Sequence, residues 1–202
     1  MTLRTAVAFF FTLASTTGCS QTMNKLDPEN VHIKRNLHPA QRYEITFTIH
    51  DAPGSFDSVT ADTAYEIEND ECVPTQPISG SNPSPGYNPS IKLVKISNDT
   101  YRGYVYLDLV QDENYYGLGI CHWVVNGTYL TMKVHGVTFV SSIQRKDILT
   151  QSIAPTFFSK EHYFGVPIKG IVDSSATYEN YSKMPDKSKY FYVTGVAKEV
   201  TS

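Results

Sequence analysis

Alternating apolar and polar residues predict the first regular element of the chain. In YEITFTIH, residues 43–50, four apolar side chains alternate with polar ones. This period of two is typical of a strand with one buried and one solvated face. Related patterns predict further strands at TAYEIE (63–68), IKLVKIS (91–97), YRGYVYLDLV (101–110), VTFVSSI (137–143) and KYFYVTGVAKEV (189–200).

Short turn signals separate these stretches and favour antiparallel pairing. The polar link 98–100 predicts a hairpin. Asn126-Gly127, a dipeptide that favours positive φ, predicts a tight hairpin between strands at 119–125 and 129–134. One or two helical turns are expected before Pro155. Eight or more strands with little helix predict an all-β fold, an antiparallel β-sandwich that is immunoglobulin- or transthyretin-like in outline.

Residues 73–90, VPTQPISGSNPSPGYNPS, interrupt the strand pattern. Five prolines and two glycines in this stretch exclude a helix and a central strand. We expect a long surface loop. Such a loop is either functional or a passive insertion, and the sequence leaves both open.

The N-terminus, MTLRTAVAFFFTLASTTGCSQ, has the layout of a secretory signal: Arg4, an apolar run, then small residues before Cys19. A buried core helix is the alternative. We expect residues 1–18 to be a lipoprotein signal peptide, although Thr16 stands where leucine is usual. Lipidated Cys19 would then anchor the chain to a membrane. The cleavage region resembles that of bacterial lipoproteins, in which an aspartate after the lipidated cysteine marks retention in the inner membrane. Ser20 stands there in this chain, so the resemblance implies the outer membrane, with the protein facing the periplasm.

The composition of the remaining residues indicates the domain organisation and the kinds of partner to expect. Residues 19–40 are polar and unpatterned and are expected to form a lipidated N-terminus and tether, followed by a single β-sandwich domain over residues 41–202. A formal net charge of −3 among 202 residues gives no reason to expect a nucleic-acid partner.

Three cysteines occur, at positions 19, 72 and 121. If lipidation uses Cys19, an even pair remains, and in an exported chain this favours a Cys72–Cys121 disulfide. Two free thiols or a metal site are the alternatives. Two cysteines without a histidine cluster make a poor zinc site.

The stretch NYYGLGICHW, residues 114–123, contains the most suggestive chemistry. Gly117 and Gly119 lack the third glycine and the following helix of a dinucleotide loop. Cys121 and His122 are neighbours in a predicted strand and so point to opposite faces, which argues against a nucleophile–base pair. No metal spacing or hydrolase motif is present. We therefore expect no catalytic residue, no metal and no cofactor.

Surface aromatic and acidic residues at a turn are the remaining candidates. DENYY, residues 112–116, is either a solvated turn or part of a protein-binding edge. The candidate partner-binding residues are Asp112, Glu113, Tyr115, Tyr116 and His122.

The stretch YRGYVYLDLVQDENYYGLGICHW, with YEITFTIHDAPGSF and DECVP, resembles small bacterial lipoproteins that act as immunity proteins against type VI secretion lipases. The resemblance covers residues 43–126. It implies a non-enzymatic, periplasm-facing lipoprotein that binds a protein toxin, a lipase-type effector, and neutralises it. A structural or small-ligand-binding envelope lipoprotein, with an apolar cavity between its sheets, is the alternative. A hydrolase of unrecognised type is a third.

Overall fold

A computed structural model describes residues 31–165, 171–172 and 181–200. The predicted signal peptide and Cys19 lie outside these residues. The strands are β1 (Arg42–His50), β2 (Ser58–Ile67), β3 (Ser90–Ile91), β4 (Val94–Lys95), β5 (Thr100–Tyr106), β6 (Trp123–Val134), β7 (Val137–Gln144), β8 (Ala154–Ser159), β9 (Ile171–Val172) and β10 (Tyr190–Glu199). Two short helices, α1 (Arg145–Thr150) and α2 (Lys160–Tyr163), flank β8.

Two five-stranded sheets form the fold, in the orders β4-β5-β1-β10-β8 and β3-β2-β6-β7-β9. Every strand pair is antiparallel except β7 with β9. The predicted all-β sandwich is confirmed. Among the described residues, no helix combines the length and hydrophobicity that a membrane crossing requires.

The core lies between the two sheets and follows from the alternation along the strands. On β1 and β10 every second side chain is buried, as the period of two requires. Phe191 of β10 packs edge-on against Phe139 of β7, with ring centroids 5.3 Å apart. Phe158 of β8 stacks on the Phe191 ring, with centroids 5.1 Å apart. Aromatic side chains therefore fill the space between the sheets.

The hairpin predicted at Asn126-Gly127 is wrong. Both residues lie inside β6, a continuous strand of 12 residues. The register with β2 shifts there, because Ala64 pairs with Gly127 whereas Tyr65 pairs with Val125. Asn126 is the extra residue of a β-bulge. The tight turn instead lies at His135 and Gly136, which have φ values of 50° and 78° and join β6 to β7 as a two-residue hairpin.

Other elements differ from their predictions mainly in length. The stretch 91–97 forms only the two-residue β3 and β4 with a break between them, and the strand expected over 101–110 ends at Tyr106. Residues 154–163 divide between the strand β8 and the helix α2. The proline-rich stretch carries no strand before β3, as expected, although Tyr87 exchanges two backbone hydrogen bonds with Tyr65 of β2.

Residues 31–41, which we call the N-terminal arm, run along the folded domain. The Asn36 amide donates to the Leu109 carbonyl at 2.8 Å. The Asp108 carboxylate accepts from the amides of Ala40 at 2.8 Å and Gln41 at 3.0 Å. The tether predicted for residues 19–40 is thus, from residue 31 onward, held against the sandwich.

Candidate protein-binding site

The predicted Cys72–Cys121 disulfide is present. The two Cα atoms are 5.3 Å apart, and both cysteines are buried. Since both sulfurs are bonded to each other, the alternatives of free thiols, a metal site or a catalytic Cys121 are excluded. His122 is exposed whereas Cys121 and Trp123 are buried, so neighbouring residues point to opposite sides as expected.

The chain just before β6 folds into a compact loop, residues 111–122, which we call the acidic loop. The Glu113 carbonyl accepts hydrogen bonds from the amides of Tyr115, at 3.0 Å, and Cys121, at 2.9 Å. The Asn114 side chain accepts from the Gly119 amide at 3.2 Å. Gly117 and Gly119 have φ values of 77° and 123°, which glycine adopts without steric cost. The two glycines therefore shape the loop.

Asp112 joins the acidic loop to β6, and its partner His122 joins the loop to the segment after β2. One of its carboxylate oxygens accepts from the Trp123 amide at 2.9 Å, and the other lies 2.7 Å from Nδ1 of His122. The His122 amide in turn donates to the Asn69 side chain at 2.7 Å. Both hydrogen-bonding atoms of the Asp112 carboxylate are therefore engaged inside the protein.

Glu113 and Tyr115 also form internal contacts. The Lys34 ammonium of the N-terminal arm lies 2.5 Å from a Glu113 carboxylate oxygen. The Tyr115 hydroxyl donates to the Gln111 carbonyl at 2.6 Å, and its ring meets Trp123 edge-on at 6.2 Å. These side chains stabilise the conformation of the loop, whatever they contribute to a partner.

The structure brings together all five residues proposed as partner contacts, but it does not expose all of them. Tyr116 is only 5% exposed and belongs to the core. A side chain covered by its own protein cannot contact a partner surface, so Tyr116 is removed from the candidate set. Asp112, Glu113, Tyr115 and His122 remain.

Two residues that the sequence did not single out project from the acidic loop. Leu118 is 55% exposed and Ile120 is 54% exposed. They alternate with the two positive-φ glycines in GLGI, a pattern that places apolar side chains in a turn rather than in a buried strand. Large aliphatic side chains on a fixed loop with polar neighbours have the arrangement of an interface anchor with a polar rim.

A groove of about 640 Å³ lies beside the acidic loop. Its lining combines apolar side chains with the carboxylates of Asp108 and Asp112 and the guanidinium of Arg145. The Arg145 guanidinium is 2.7 Å from Glu68. The exposed Leu37 and Leu149 also line it. This groove extends the surface that the loop presents.

Replacing Asp112 by alanine tests whether the acidic side chains are structural. The substitution removes the acceptor of the Trp123 amide and the partner of His122, and we expect it to lower the free energy of unfolding by about 1 kcal/mol. Denaturant unfolding measures the change. Asp112→Asn, which keeps one carbonyl acceptor, should recover part of the loss, and equal stability of the alanine variant and the wild type would contradict this role.

No protein-family model, curated protein or solved structure matches this chain. The resemblance to immunity lipoproteins therefore depends only on the sequence stretches quoted above. Among residues 31–165, 171–172 and 181–200, no three histidine, cysteine, aspartate or glutamate side chains are grouped so as to hold a metal ion.

Proposed function

We propose that this protein is a periplasm-facing, outer-membrane lipoprotein that binds an antibacterial protein toxin and neutralises it. The toxin proposed is a lipase-type effector of a type VI secretion system. The protein acts by binding and not by turnover. Lipidated Cys19 is its membrane attachment, and the acidic loop is its contact surface.

The observation that carries this proposal is the exposed pair Leu118 and Ile120 on a loop whose backbone is fixed. The disulfide holds one end of the loop at Cys121, and Asp112 is bonded to Trp123 just beyond it. A loop already held in one conformation loses little entropy when it binds, which favours affinity. Two adjacent aliphatic side chains fit an apolar cleft, such as the lipid-binding cleft that a lipase must present.

The contacts of Cys121, His122 and Asp112 support binding over catalysis. Cys121, the one strong nucleophile in this stretch, is oxidised. The exposed His122 is paired through Nδ1 with Asp112, and within the part of the chain that the structure describes no hydroxyl or thiol is hydrogen-bonded to its Nε2. This arrangement orients a loop, whereas general-base catalysis needs a nucleophile within hydrogen-bond reach.

Co-expression with the product of the neighbouring gene tests the proposal. We expect the two proteins to co-purify, and we expect a deletion strain to die when attacked by sister cells. The Leu118→Asp/Ile120→Asp variant should bind the toxin at least about tenfold more weakly, since buried anchors of an interface contribute most of its binding energy. Calorimetry or surface plasmon resonance measures this change.

Ile153→Asp is the matched control, because Ile153 is an exposed aliphatic residue (65%) that lies outside the acidic loop and does not line the groove beside it. Its affinity for the toxin should equal that of the wild type. Full binding by the double aspartate variant would refute the role of the loop. A deletion strain that survives sister-cell attack, with no lipase-like gene beside it, would refute the proposed function as a whole.

A further inference from the structure

A second groove, of about 450 Å³, opens on the N-terminal arm, and Asn36 and Leu37 line both grooves. We call it the cationic groove. It lies where β5 of one sheet meets β2 and β3 of the other. Four of its lining residues are buried and form what we call its floor: Thr63, Tyr65, Val105 and Leu109. The floor is thus largely apolar.

Both side-chain hydroxyls of this floor already have hydrogen-bond partners, and that of Thr63 lies 3.4 Å from the Thr128 hydroxyl. The Tyr65 hydroxyl donates a hydrogen bond of 2.5 Å to the Tyr106 carbonyl and so joins the two sheets. An apolar group placed over the floor therefore leaves no hydrogen bond unmade, which would otherwise cost free energy. Further apolar surface lines the groove at Pro39, Pro89, Ile91 and Tyr104.

The charged residues that line the cationic groove have one sign. Arg35 and Lys92 are its charged lining residues, and both are exposed. Across the residues that the structure describes, neither forms an ion pair. Burial raises the pKa of the Tyr65 hydroxyl, Tyr87 and the negative charge of Asp108 add to the rise, and the positive charge of Arg35 opposes it. The Arg35 guanidinium and the Asp108 carboxylate therefore both act on the Tyr65 hydroxyl of the floor, and only Arg35 lines the groove.

We propose that the cationic groove binds a single-chain anionic amphiphile, with its carboxylate or phosphate at Arg35 and Lys92 and its alkyl chain along the apolar floor. The volume is within the range of small-molecule sites. An unpaired cation gains a charge-assisted hydrogen bond without breaking an existing ion pair. Burial of the chain adds the hydrophobic contribution. Arg35 and Lys92 do not line the groove beside the acidic loop, so this proposal does not rest on toxin binding there.

Calorimetric titration of the secreted chain, carrying Cys19→Ser so that no acyl chain of its own competes, tests the site. The probes are dodecanoate, dodecyl phosphate and dodecyltrimethylammonium, below the concentration at which they form micelles. We expect both anions to bind and the cation of equal chain length to bind at least about tenfold more weakly, because one ionic hydrogen bond corresponds to roughly that factor.

Charge-removing variants locate the headgroup. Arg35→Gln and Lys92→Gln should each weaken dodecanoate binding by about tenfold. Lys95→Gln is the matched control: Lys95 lies on the neighbouring β4, with its ammonium 5.8 Å from the Tyr101 ring centroid, and it does not line the groove. Its variant should bind as the wild type does.

Three outcomes would overturn the proposal: equal binding of the cationic amphiphile, unchanged affinity in both glutamine variants, or no binding of either anion. Vesicles of anionic phospholipid distinguish the source of the headgroup. If the protein binds such vesicles but not free dodecanoate, Arg35 and Lys92 contact a membrane surface, and the proposal of a single-chain amphiphile in the groove is wrong. Toxin binding by Arg35→Gln and Lys92→Gln is measured in parallel and should stay unchanged, so the two proposals fail separately.

Discussion

Replacing both Cys72 and Cys121 by alanine should lower the free energy of unfolding by roughly 4 kcal/mol. The disulfide closes a loop between residues 49 positions apart, and the chain-entropy relation for a loop of that length gives about this value. The loop includes the proline-rich stretch, which has little regular structure to hold it. Without the cross-link, the unfolded chain can adopt conformations that the disulfide excludes, and this gain in entropy favours unfolding.

Denaturant unfolding of the variant and of the oxidised wild type measures this loss. Reductant supplies the control, because it should destabilise the wild type by a similar amount and leave the double alanine variant unchanged. A loss below about 1 kcal/mol would mean that the unfolded chain is already restricted by other means.

Loss of the disulfide should also affect the conformation of the acidic loop. Cys121 ends the loop that carries Leu118 and Ile120, and without the disulfide this end is held by hydrogen bonds alone, from Cys121 to Glu113 and between Asn69 and both Ile120 and His122. Reduction is therefore expected to weaken toxin binding even under conditions where the domain stays folded.

The sequence predicts most of the fold, because two signals in it are strong and local. Alternation over residues 43–50 and 189–200 anticipates β1 and β10 almost to their ends, since one buried face requires a period of two. Cysteine parity anticipates the disulfide. Neither prediction depends on contacts made elsewhere in the chain.

Asn126-Gly127 shows where local signals fail. The dipeptide tolerates positive φ, and a hairpin uses that freedom, but a bulge inside a strand also suits glycine. Which of the two forms depends on β2, whose pairing with β6 continues past the bulge. The partner strand lies more than fifty residues away in the sequence, so the dipeptide alone could not decide between the two.

The candidate site was only partly predictable for a related reason. Asp112 and His122 are recognisable as polar surface residues, but the sequence does not reveal that they bond to each other. Tyr116 and Tyr115 are identical neighbours, yet one is buried and the other is half-exposed. Leu118 and Ile120 have the apolar character of strand residues, and only the positive φ values around them expose their side chains.

Phe191 is a core side chain that contacts aromatic rings of both sheets. It is fully buried, and it contacts rings from several elements: Phe56, Phe139, Phe158 and Tyr163. Phe139 belongs to the opposite sheet, and Phe158 is the cross-strand neighbour on β8. Removing this ring leaves a cavity bounded by other aromatic rings, which are too rigid to collapse fully into it.

Phe191→Ala is therefore expected to destabilise the protein by about 3–5 kcal/mol, the sum of lost burial and of the cavity left behind. Chemical denaturation monitored by far-ultraviolet circular dichroism measures the change. Phe164→Ala is the matched control, because the Phe164 ring is 69% exposed and its removal should change stability by less than about 1 kcal/mol. Similar losses in the two variants would show that the core does not depend on this ring, and that the sheets are held together chiefly by contacts elsewhere.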